Sequence, residues 1–312
     1  MPYIHMTKLK KILVACCSVG LWFISLIAYL LLTKTNLSEI FLYIPRAGIY
    51  FPVSESFNIG VLLATLLALA PYAVISYFND RYIDDIERTL PDVFKALAEG
   101  VQAGLTLPYA VGDVGKRCYG VLGKLLNMVA ARMALGLSFE SAIDATLTKY
   151  EIPSLKRAAK ILKIAYESGG RTFEVLDTAA RVYGLLWSYT YERRTSVRQY
   201  VMTIYASLLV FLFIGMILIE AFFIPLTTLQ KAQPVPIFKG LVEVPVYKAV
   251  ILYTALIEAL LGGLIAGKMA RGSIRSGAFH IVAQLFIVIA FFAFIIPTVE
   301  KIGLFPATFS GA

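Results

Sequence analysis

A chain of 312 residues that is 59% hydrophobic and only 16% charged carries more apolar surface than one soluble core can hide, and at a mean hydropathy of +0.75 the surplus is expected to face lipid. The net charge of +9 is dispersed, with 17 Lys/Arg against 14 Asp/Glu in residues 79–199, so no phosphate-binding stripe stands out and nucleic acid is not an expected partner. The histidines are His5 and His280, Cys16 and Cys17 are adjacent, and Cys118 stands alone; this set makes no zinc spacing, redox pair or His-based triad, and no cofactor or metal site is expected.

In chain order, the first apolar run spans 12–32 and the second 57–78. Each is long enough for a hydrocarbon core of about 30 Å at about 1.5 Å rise per residue. The first exceeds a signal-peptide core, and Thr33-Lys34-Thr35 offers no small-residue cleavage site, so it reads as a retained membrane helix. Three further runs follow a charged stretch: 200–226, 249–267 and 278–297. The expected fold is therefore all-α: a polytopic membrane protein with five transmembrane helices and one polar helical bundle. It divides into membrane region 1–78, bundle 79–199 and membrane region 200–312.

Lys8, Lys10 and Lys11 precede the first run, and Lys268, Arg271 and Arg275 fill the link between the fourth and fifth without an acid among them. Basic flanks are retained on the cytoplasmic side. The expected orientation in the cell membrane has the N-terminus, 79–199 and 268–277 in the cytoplasm, with 33–56, 227–248 and the C-terminus outside. Attraction of the juxtamembrane basic residues to anionic lipid fits the same pattern.

Within 79–199 the apolar spacing is helical. Leu90, Val93, Phe94, Leu97, Ala98 and Val101 share one face, because positions three and four apart align on a helix. That helix is expected to stop at Gly104, with Thr106 capping the next and Pro108 tolerated in its first turn. Gly136 with Ser138 repeats this pattern, Ser154 after Pro153 is read as another cap, and Gly169 and Gly170 end a helix before Thr172 caps a long one. Glycines suit such stops because a left-handed residue costs least there. The charged residues Asp84, Asp85, Glu87 and Arg88 are read as preceding the first bundle helix, and Glu167, Arg171 and Glu174 as flanking the Gly169-Gly170 turn.

The stretch Leu90-Pro91-Asp92-Val93-Phe94-Lys95-Ala96-Leu97-Ala98-Glu99-Gly100-Val101-Gln102-Ala103-Gly104-Leu105-Thr106-Leu107, followed by Ala165-Tyr166-Glu167-Ser168-Gly169-Gly170-Arg171-Thr172-Phe173-Glu174-Val175-Leu176, resembles the type II secretion system F domain. The resemblance covers roughly 85–200 and the helix after it. That family supplies the inner-membrane platform of type II secretion, type IV pili, Tad pili and the archaeal pili and archaellum. The resemblance implies a non-enzymatic scaffold that engages a cytoplasmic hexameric ATPase and acts on pilin-like subunits. The charged residues Asp84, Asp85, Glu87, Arg88, Glu167, Arg171 and Glu174 read either as an ordinary solvated face or, given the ATPase the resemblance implies, as its docking surface. Many members carry two copies of the soluble domain, whereas one is legible here; this resembles paired Tad subunits or some archaeal platforms and implies a second platform subunit or a second copy of the chain.

Other function classes leave weaker marks. A phosphate-binding loop needs Lys followed by Ser or Thr, and Gly262 to Gly267-Lys268 fails at Met269. Gly263 and Gly267, four apart in the fourth run, read instead as a close helix-packing face. A prepilin peptidase would need a Gly-x-Gly-Asp at a membrane helix, and Ala110-Val111-Gly112-Asp113 lacks the first glycine. A transporter would favour broken helices and repeated halves, whereas Pro71, Pro225 and Pro297 are expected at or near helix ends. Among the intramembrane acids, Glu220 lies near the outer end of its run. Glu258 is central to the fourth, where it is expected to bind a polar group of a partner helix or a hydrogen-bond partner within the bundle; Gln284 could lie at a matching depth.

Overall fold

A computed structural model describes residues 8–34, 40–44, 48–226 and 244–302. Residues 227–243 of the expected outer segment 227–248, the tail beyond 302, and His5, Glu39 and Arg46 lie outside the described residues. Each of the five apolar runs falls in a helix long and apolar enough to cross a membrane.

The chain folds as α1 (Lys8–Thr33), a hairpin of β1 (Phe41–Ile44) and β2 (Ile49–Pro52), α2 (Glu55–Gln102), α3 (Leu107–Arg117), α4 (Val121–Ala134), α5 (Phe139–Leu147), α6 (Pro153–Glu167) and α7 (Thr172–Ile217). Then come α8 (Val244–Arg271), α9 (Gly277–Ala290) and α10 (Ile296–Ile302). The antiparallel strands pair Phe41 with Pro52 and Tyr43 with Tyr50; no expectation from the sequence placed a hairpin in segment 33–56. Single π-helical turns, Leu218–Phe223 and Phe291–Ile295, follow α7 and α9.

Two compact units form. One holds Tyr77–Ser196; the other holds Lys8–Ser76 and the residues from Val197 onward. In the first, the α2 face of Ile86, Leu90, Val93, Phe94 and Leu97 is buried against Val111 and Val114 of α3, Leu122 and Leu126 of α4, Ile143 of α5, Leu155 of α6 and Leu176 of α7. Phe94 stacks on Tyr183 with ring centroids 5.3 Å apart. The expected helix face is thus the core face, which the 3.6-residue period requires. The second unit is centred on Leu62 of α2, Leu208 and Leu212 of α7, Leu252 and Ala255 of α8, and Leu285 and Val288 of α9.

Local stops follow glycine conformation. Gly104, Gly136 and Gly169 have φ of +91°, +94° and +54°, a region that side chains with a Cβ rarely adopt. Ser138 caps α5 by accepting from the Ser141 amide. Thr106 occupies the N-cap position of α3 without a side-chain cap bond.

Four local expectations are corrected. Asp84, Asp85, Glu87 and Arg88 do not precede a helix but lie inside α2, which runs unbroken through Pro71 and Pro91. Pro71 is therefore interior to a helix; a span tolerates this because neighbouring helices and local adjustment satisfy the freed carbonyl. Ser154 is not a cap, since α6 begins at Pro153 with Ile152 before it, and the Ser154 hydroxyl donates to Glu87 instead. Thr172 is the first residue of α7, and its hydroxyl donates backward to the Ala165 and Gly169 carbonyls, because a 3-10 turn, Gly169–Arg171, leads straight into the helix.

Candidate functional site

The seven charged residues singled out in the polar unit separate into two sets by what their side chains touch. On α2, Asp85 Oδ2 accepts the Val121 amide at 3.0 Å and so satisfies a first-turn donor of α4, where Gly120 at φ +95° supplies no cap of its own. Asp84 accepts from Arg194 Nη2 at 2.7 Å, with the two side chains 24% and 29% exposed. Glu87 accepts the Ser154 hydroxyl at 3.0 Å, tying α2 to the first turn of α6. These three carboxylates hold helices of their own unit together, whereas Arg88, one position beyond Glu87, is exposed.

Glu167, Arg171 and Glu174 are exposed at the turn between α6 and α7. Arg171 Nε donates to Glu174 Oε2 at 3.0 Å, and at 80% and 63% exposure the pair contributes little to stability. Its charges are available to a partner. The turn is positioned by Gly169, whose positive φ lets α6 stop, and by the Thr172 hydroxyl bonds that clamp the start of α7.

Two further polar contacts in this unit carry no sequence signature, since each joins separate elements. Asn127 Nδ2 donates to the Gly115 carbonyl at 2.8 Å, and Arg132 Nη1 to Thr146 Oγ1 at 3.0 Å. A Cβ on Gly123 would stand 1.9 Å from the Cys118 carbonyl oxygen, so this glycine permits the tight α3–α4 turn. Burial pushes the Cys118 thiol above its ordinary pKa, and Asp92 and Asp85 push it further. It is held as the neutral thiol, which is the poor nucleophile.

In the membrane unit, α8 and α9 approach backbone to backbone. A Cβ on Gly263 would meet Ile281 N at 2.6 Å, and one on Gly267 would meet Gly277 N at 2.1 Å, so both glycines pack where side chains would collide, as small residues do between membrane helices. Gly277 completes the contact from α9. It was not singled out from sequence, although its place ten residues after Gly267 is what an antiparallel pair requires.

Glu258 lies on the same α8 face as Gly262, one turn earlier, and its Oε1 accepts from Ser207 of α7 at 3.2 Å. Tyr205 of α7 bonds His280 Nδ1 at 2.9 Å. Gln284 is 1% exposed, and neither of its amide atoms has a hydrogen-bond partner among the described residues. It lies against Gly262, where a Cβ would stand 3.2 Å from its Oε1. Glu258 and Gln284 are thus about one turn apart in depth, and Glu258 bonds Ser207 rather than Gln284.

The family model of type II secretion system protein F matches residues 93–219. An uncharacterized protein of Methanocaldococcus jannaschii is 26% identical over 276 residues, covering 88% of this chain and 42% of the relative. The chain thus spans less than half the length of that protein. No solved structure matches.

Proposed function

We propose that this multi-pass membrane protein, which carries a type II secretion system F domain, is the platform of a pilus-type or secretion machine. In this reading the polar unit is cytoplasmic and receives a hexameric ATPase, and the membrane helices act on pilin-like subunits at the filament base. The observation that carries the reading is the extent of the family match. Residues 93–219 take in the helical bundle from the C-terminal part of α2 onward and continue into the apolar half of α7, so the match spans most of the polar bundle together with the apolar helix that leaves it.

The chain acts as a scaffold and hydrolyses nothing. Its docking surface for the ATPase is the exposed group Glu167, Arg171 and Glu174, with Arg88 a separate exposed charge on α2, while Asp84, Asp85 and Glu87 support the bundle from within. Exposed, mixed-sign charge sets the orientation and on-rate of an encounter more than its final affinity. A second platform subunit, or a second copy of this chain, completes the assembly. The transporter reading is not favoured by any contact described above.

Binding of the full chain in detergent to the candidate ATPase tests this. Wild type is expected to bind saturably, with reversals at Glu167, Arg171 and Glu174 weakening binding about tenfold and lowering any stimulation of ATP hydrolysis. Undiminished binding by the triple reversal would remove this surface. Absence of binding with both platform subunits present would remove the platform reading.

A further inference from the structure

Glu258 stands at the middle of α8, 14 residues after Val244 and 13 before Arg271, and its side chain is only partly buried. At that depth the medium outside the helices is hydrocarbon, which offers no hydrogen bonds, so an acid there requires a protein partner. Its one hydrogen-bond partner among the described residues is Ser207. That hydroxyl has a single proton to give, and it also lies 2.9 Å from the Ile204 carbonyl, the shorter of its two contacts. The carboxyl therefore keeps acceptor capacity that its own chain does not fill.

The surface around it suits a second helix. Ser207 is exposed, as are Thr203 and Ala206 beside it on α7 and Thr254, Ile257 and Leu261 beside Glu258 on α8. The residues three and four positions away on a helix share a face, so these form two adjoining strips with Glu258 and Ser207 at their junction. The α7 strip is small, which lets a helix backbone come close. Both threonine hydroxyls are already turned to their own helices, Thr203 to the Gln199 carbonyl and Thr254 to Val250, leaving Glu258 as the acceptor.

We infer that this strip is an intramembrane docking face for a transmembrane helix of a partner that presents one N–H or O–H donor at mid-bilayer depth to Glu258. The face is a property of the membrane unit alone and does not depend on the ATPase surface proposed above. Platform function would give it a use, but its test needs no filament component.

The test uses the full chain in phosphatidylcholine vesicles and a fluorescent polyleucine helix carrying one central Asn, against the same helix with Leu there. Energy transfer from the labelled chain is expected to report association of the Asn helix about tenfold tighter than the Leu helix. Glu258→Gln, which keeps an acceptor oxygen, is expected to retain that preference, and Glu258→Leu to abolish it. Ala206→Trp, which fills the strip without touching the carboxyl, is expected to weaken both helices. No preference in wild type, or a preference that persists in Glu258→Leu, would overturn the inference.

Discussion

Asp85 has a role that its neighbours in sequence do not announce: its carboxylate takes the amide of Val121 at 3.0 Å from a helix 36 residues away. Removing such a cap costs about 0.5–2 kcal/mol, so Asp85→Ala is expected to lower the stability of the polar unit by about 1 kcal/mol in a thermal or denaturant melt of the full chain. Arg88→Ala, at an exposed position three residues on, is expected to stay within about 0.5 kcal/mol of wild type. Equal losses from the two would show that Asp85 does not cap α4. At this scale the sequence reading was partial. Charge and proximity grouped Asp84, Asp85, Glu87 and Arg88, but contacts with distant helices take the first three to Arg194, Val121 and Ser154 and leave the fourth exposed.

Among the elements, the α8–α9 pair is the one whose geometry permits least change. The Cβ position of Gly267 lies 2.1 Å from Gly277 N, closer than any side chain can approach a backbone without moving it. Gly267→Val must separate the two helices and is expected to destabilise the membrane unit by about 3 kcal/mol or more, read as a lowered melting midpoint in detergent. Gly184→Ala in α7 has nothing within 4 Å of the new Cβ and should leave the midpoint unchanged or raise it, since alanine favours the helix over glycine. The four-residue spacing of Gly263 and Gly267 was visible in the sequence as a packing motif. The helix it packs on was not, because small-residue spacing marks a face and carries no record of the partner.

For the whole molecule, the distribution of Lys and Arg sets the proposed orientation. In a cysteine-free background, Tyr50→Cys in the exposed β2 strand is expected to react with an impermeant maleimide on intact cells. Lys149→Cys in the polar unit is expected to react only after permeabilisation. The reverse pattern would invert the topology and place the polar unit away from any cytoplasmic ATPase.

The sequence by itself determined the membrane character, the five spans and the all-helical bundle. Hydrocarbon thickness selects apolar runs by length alone, and helix periodicity and glycine stops act over a few residues. It also held enough of the F-domain pattern for the resemblance to be legible before any geometry, and a family model matches over residues 93–219. Only the tertiary structure decided which charges face inward, which helix receives Gly263 and Gly267, and that Glu258 bonds Ser207, 51 residues away. Those outcomes depend on contacts between distant segments, and the register of two packed helices is fixed by the fit of their surfaces and not by either sequence read alone.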